Sequence, residues 1–128
     1  MKRLRKIGMI LLVLVVLFAG GTWMIAGQLS KKINKEIQIG EMNLDGMEDG
    51  VYMASYVYNE AMGATVVVTV VDHQIGEIAI EEHKSGLGSK AEQIVDRVID
   101  QQSLQVDAIS GATGSSKIIL KAIETALQ

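Results

Sequence analysis

The chain has 128 residues with 12 Lys+Arg against 15 Asp+Glu, and it contains neither cysteine nor proline. Without cysteine there is no disulfide framework, thiolate metal site or lipid-modified N-terminal cysteine, so burial alone must hold any fold together. Four of the 12 basic residues precede residue 28, which leaves 8 against 15 acidic residues and a net charge of −7 for the remainder. An acidic body gains nothing from contact with like charge, and nucleic acid is excluded as a partner.

The N-terminal segment is the most apolar. No charge occurs from Ile7 to Gly27, and at about 1.5 Å per residue such a helix spans roughly 31 Å, the thickness of a bilayer core. Lys2, Arg3, Arg5 and Lys6 precede the run and predict a cytoplasmic N-terminus with the rest translocated. A cleaved signal peptide ending near Ala19 and Gly21 is the rival. The apolar character continues through Trp23, Met24, Ile25 and Ala26, further than a signal requires, and favours a retained anchor. Both readings put the C-terminal domain outside the cytoplasm, and the retained anchor holds it at the cell membrane.

Residues 28–44 read as a linker or stalk, with Leu29, Ile33 and Ile37 forming a thin stripe at helical spacing. The turn signals Asp45-Gly46 and Asp49-Gly50 open the domain proper at about residue 45. Three strands follow. Gly50–Asn59 alternates, with Tyr52, Ala54, Tyr56 and Tyr58 on one face; Ala64–Val71 is β-branched and reads as a central strand buried on both faces. Asp72-His73-Gln74 turns the chain into Ile75–Glu82, completing an antiparallel meander.

After the loop His83–Gly88, Ser89 and Glu92 fit a capping box, and Ala91, Ile94, Val95, Val98 and Ile99 form an apolar helix face. Leu104–Val106 is a candidate fourth strand, and a final helix runs from about Gly114 to Leu127. The expected fold is therefore an N-terminal transmembrane helix, residues 1–27, the stalk, and an α+β domain over residues 45–128. That domain has helices on one side of a small antiparallel sheet, in the order β-β-β-α-β-α.

Asp107-Ala-Ile-Ser110-Gly111-Ala112-Thr113-Gly114-Ser115-Ser116 leads directly into the last helix. A loop of small residues ending at a helix N-terminus presents unpaired amides and a positive dipole end to an anion such as phosphate. The bland alternative is that Thr113 or Ser115 caps the helix. A P-loop is excluded because Ser116 replaces its second glycine and Ile118 its Ser/Thr. Gly86-Leu-Gly88-Ser-Lys-Ala91 fits a dinucleotide fingerprint, but it follows strands of antiparallel character in a domain too short for two nucleotide-binding halves.

The stretch Asp107–Ser116, with Ser-Gly-Ala-Thr at its centre, resembles the flavinylation sequence of the FMN-binding domain family. That family includes the C subunit of sodium-translocating NADH:quinone reductase and the G subunit of the Rnf complex. Asp49-Gly50-Val51-Tyr52 is similar to the family's opening Asp-Gly-x-Tyr, and the resemblance covers roughly residues 45–127.

It implies covalent FMN, esterified through its phosphate to Thr113 by an FMN transferase that uses FAD as donor. The flavin would do the electron chemistry, exchanged with a membrane or extracytoplasmic redox partner. By the same resemblance, Ser110, Gly111, Ala112, Gly114 and Ser115 shape the phosphate site. Asp107 assists transfer or simply makes a turn. Many members carry Glu-Thr-Pro-Gly after the third strand; here His83-Lys84-Ser85-Gly86 stands in that place, making His83 a candidate flavin neighbour or a structural histidine.

His73 and His83 lie roughly 30 Å apart along an extended strand and cannot share a metal. No set of nucleophile, base and acid is present to suggest catalysis. Two rivals to an electron carrier remain: a flavin-dependent reductase with its own substrate, and a cofactor-free binding module.

Overall fold

The computed structural model describes residues 1–85 and 88–128. Helix α1 (Lys2–Glu36) is followed by strands β1 (Gly50–Asn59), β2 (Met62–Val71) and β3 (Gln74–Lys84). A 3-10 turn (Ser89–Gln93) then leads into α2 (Ile94–Gln101), and α3 (Thr113–Ala126) closes the chain. The strands form one antiparallel sheet in the order β1-β2-β3. The α+β class expected from the sequence is the class observed. By length and composition, α1 is able to cross a membrane.

Pattern becomes structure most directly in the hairpin at residues 72–73. Asp72 and His73 both have positive φ, 51° and 59°, as the turns that match the twist of paired strands require. On β2, Ala64, Val66, Val68 and Val70 are buried against the helices, while Thr65, Val67 and Thr69 are only half-buried. The expectation of burial on both faces is corrected here: helices cover one side of the sheet. Val51, Met53 and Val57 of β1 stay exposed on the open side.

The inner face meets Ile94 and Val98 of α2 and Ile118, Ile119, Ala122 and Ile123 of α3, all fully buried. Tyr52, Tyr56 and Tyr58 pack at the edge of this core.

Two local expectations fail for identifiable reasons. Leu104–Val106 forms no strand. The side-chain amide of Gln102 takes up the pairing a fourth strand would offer, accepting from Ile75 N at 2.8 Å and donating to Ile75 O at 2.9 Å. Gln102 is held there in the left-handed region, φ 47°. The capping box is also absent: the 3-10 turn begins after Gly88 without a side-chain cap, and Glu92 turns instead to His83.

The segment after the apolar run is not a free linker in this structure. α1 continues to Glu36, and Ile33, Ile37 and Leu44 belong to the core cluster. Lys121 donates to Gln38 O at 3.0 Å, Gly40 N donates to Glu124 at 3.0 Å, and Gln105 donates to Ile39 O and Gly40 O, each at 3.1 Å. The Tyr58 hydroxyl donates to Glu36, and that hydrogen bond to a carboxylate raises the phenol's pKa above its usual value.

Candidate functional site

The loop before α3 is wired by one serine. Ser116 is fully buried; its hydroxyl donates to Ala112 O at 2.8 Å and accepts from Ile109 N at 3.0 Å. Ala112 N donates to Ile109 O at 2.9 Å and closes the turn, with Gly111 at φ 77° supplying a left-handed step that other residues adopt at a cost. Arg97 fixes the loop's start by donating to Asp107 O at 2.7 Å. Ser116→Ala would leave the buried Ile109 amide unpaired, so it should cost about 1–3 kcal/mol in denaturant unfolding. A loss below about 0.5 kcal/mol would show that the hydroxyl does not organise the loop.

Helix α3 opens without a side-chain cap. Its N-cap is Ala112, which excludes the bland reading of Thr113 or Ser115 as a cap. The first helical bond runs from Ser116 N to Ala112 O at 2.9 Å, so the amides of Thr113, Gly114 and Ser115 precede the helical ladder. No acidic residue lies in the first turn. Lys90 brings a positive charge to the loop: its Nζ lies 2.8 Å from where a Cβ on Gly111 would stand. Amides, dipole and ammonium together favour an anion at this point.

Beside the loop is a pocket of about 330 Å³, within the size range of small-molecule sites. Gly111, Ala112, Gly114 and Ser115 form one wall, and Ser85 and Gly88 another. The hairpin residues Asn59, Ala61 and Met62 contribute a third, and Ala26, Leu29, Ser30 and Ile33 of α1 complete it. The contacts among these walls are close. A Cβ on Gly88 would fall 2.0 Å from Ser115 Oγ, and one on Gly114 would fall 3.1 Å from Ile33 Cδ1.

Of the residues singled out in the sequence, Gly111, Ala112, Gly114 and Ser115 line the pocket, and half-buried Thr113 sits between two of them. Ser110 is exposed at the turn, and Asp107 is exposed, holding Arg97 through its backbone carbonyl. His83 is not among the lining residues; its side chain is 2% exposed and meets Glu92, with Nδ1 3.1 Å from Oε1. His83 Nε2 is buried without a hydrogen-bond partner among the described residues. Also among those residues, no group of His, Cys, Asp and Glu is placed to hold a metal ion.

The α1 wall and Lys90 went unrecognised in the sequence. Leu29 and Ile33 were visible as a stripe, but a stripe does not name what it packs against. Lys90 carries no local pattern at all.

Fold and site together define a small α+β module in which a helix N-terminus suited to an anion opens into a ligand-sized pocket. A family model for the FMN-binding domain matches residues 58–128, more than half of the chain. The chain belongs to the FMN-binding domain family. A search of curated proteins found no match.

The residues present fit that cofactor. The small-residue cradle admits a phosphate at the helix N-terminus, Lys90 offsets its charge, and the adjoining walls are largely apolar, as a flat aromatic ring requires.

Proposed function

We propose that this chain is a membrane-anchored, extracytoplasmic electron-transfer flavoprotein carrying FMN on Thr113 through a phosphoester bond. The observation that supports it best is the shared pocket: the Thr113 loop and the exit end of the apolar helix wall the same cavity. The phosphate lies at the amides of Thr113, Gly114 and Ser115, with Lys90 beside it. Gly111 and Gly88 leave room for close approach, and Ser116 keeps the loop in shape. When bound, FMN supplies the electron chemistry; the protein holds it and shields one side. An FMN transferase installs it.

The helix also sets the height of the cofactor. The charge-free run ends at Gly27, and the α1 wall extends from Ala26 to Ile33. At 1.5 Å per residue those positions lie from about 1.5 Å below to 9 Å above the end of the run, across the headgroup layer. With the basic N-terminus in the cytoplasm, the redox partner meets the flavin at the outer membrane surface.

A carrier and a reductase with its own substrate give different kinetics. The purified full-length, flavin-loaded chain should be bleached stoichiometrically by dithionite and reoxidised by ferricyanide, with negligible steady turnover from NADH. Sustained NADH oxidation by the isolated chain would establish a reductase in its place.

A further inference from the structure

The last turns of α1, beyond the apolar run, carry a charge pattern that the flavin site leaves unused. From residue 37 onward the chain has 5 Lys+Arg against 14 Asp+Glu, a net of −9. Just before that point, Lys31, Lys32 and Lys35 fall within five consecutive residues. The preference for lysine and arginine on the cytoplasmic side disfavours such a cluster on a translocated flank, so it calls for a role of its own.

The helix separates two faces here. α1 is continuous through Glu36, and at about 100° per residue Ala26, Leu29, Ser30 and Ile33 lie within about 60° of one line along it. Those residues wall the pocket, and Ile33 is fully buried. Lys31, Lys32 and Lys35 lie within about 60° of the opposite line, and all three are exposed. The acidic body packs on one side of the helix, and the lysines face away from it. Among the described residues, Lys31 and Lys35 make no ion pair. Lys32 reaches Glu36 at 3.8 Å, with side chains 65% and 48% exposed, and such a surface pair holds its lysine weakly.

Their height matches a headgroup layer. The charge-free run ends at Gly27, and at about 1.5 Å per residue Lys31 and Lys35 stand roughly 6 Å and 12 Å above it. The interfacial layer on each side of the hydrocarbon core is about 5–8 Å thick, and a lysine stem can bend its ammonium towards it.

We infer that the face of α1 formed by Lys31, Lys32 and Lys35 binds the phosphates of anionic phospholipids, on the side of the helix away from the pocket. The inference rests on the reading of α1 as a membrane anchor. Charge complementarity selects the occupant. Three ammonium groups favour a headgroup of net negative charge over a zwitterionic one, and they offset the repulsion between such a surface and the acidic domain. Headgroups held on that side fix the helix in rotation as well as depth, so the pocket keeps one orientation to the bilayer.

The test uses the full-length chain reconstituted with equal amounts of phosphatidylglycerol and phosphatidylcholine. It is then released in mild detergent and weighed intact with the lipids it retains. Wild type should keep phosphatidylglycerol about fivefold over phosphatidylcholine, the effect of one lysine's attraction to an anionic surface. Lys31→Gln, Lys32→Gln and Lys35→Gln together should abolish the preference. Lys31→Arg, Lys32→Arg and Lys35→Arg together should retain it. All three side chains are exposed, so neither variant disturbs the core.

Equal retention of the two lipids by wild type overturns the inference and leaves this face to an acidic protein partner. A preference that survives in the glutamine variant overturns it too. Trp23, the only tryptophan, tests the anchor separately: with α1 in the bilayer, lipids brominated on their acyl chains quench its emission. Unquenched Trp23 defeats the anchor reading and the inference with it; quenched Trp23 without a lipid preference defeats the inference alone.

Discussion

Thr113→Ala should abolish covalent flavin completely while leaving the protein folded. The side chain occupies the first helical position, half-buried, and the helix N-cap is Ala112 with no side-chain cap bond. No cap is therefore lost, and the expected change in stability is within about 0.5 kcal/mol. In the proposed attachment, by contrast, the hydroxyl takes the phosphoryl group, and the amides beside it would stabilise the phosphodiester's negative charge. Thr113→Ser keeps that hydroxyl and should still be loaded, though more slowly, because serine has more side-chain freedom at this position. In-gel flavin fluorescence after denaturation separates the three proteins. Flavin retained by denatured Thr113→Ala would place the bond elsewhere.

The second large effect is expected far from the loop in sequence. Ile33 is fully buried although it follows the apolar run, and it contacts Gly114 at the start of α3. Ile33→Ala removes a core side chain, which typically costs 2–5 kcal/mol. For a domain of this size that is a large part of the total, commonly about 5–15 kcal/mol. The same substitution enlarges the pocket, so flavin fluorescence should become more accessible to iodide. Denaturant unfolding of the full chain in detergent checks the first effect and quenching the second. A stability loss below about 1 kcal/mol would show that residues 28–44 behave as a stalk and do not dock on α3.

How much could be foreseen follows from where each signal resides. Alternation in Gly50–Asn59, β-branching in Ala64–Val71 and the Asp72-His73 turn are local properties, and the meander was legible from them. The small residues of Asp107–Ser116 before an apolar helix likewise gave local reason to expect a phosphate-binding loop there.

The rest depends on contacts between distant residues. Nothing adjacent to Gln102 says that its amide will occupy the edge of β3. Glu92 satisfies the capping-box spacing, yet His83 competes for the same carboxylate and wins. Gly88 looks like part of a nucleotide fingerprint, whereas its constraint in the structure is the close approach of Ser115 Oγ. The stripe of Leu29, Ile33 and Ile37, spaced four apart, shows that a helix can form, not that it will wall a pocket.

The central claim is a phosphoester bond between FMN and Thr113, and intact mass tests it most directly. The full-length chain would be co-expressed with an FMN transferase in an export-competent host, purified in detergent, weighed and peptide-mapped. A gain of one FMN less one water, located on the peptide containing Thr113, is the result the account predicts. An unmodified mass, beside a control protein modified in the same cells, would contradict it and leave a pocket that binds FMN without a bond or not at all.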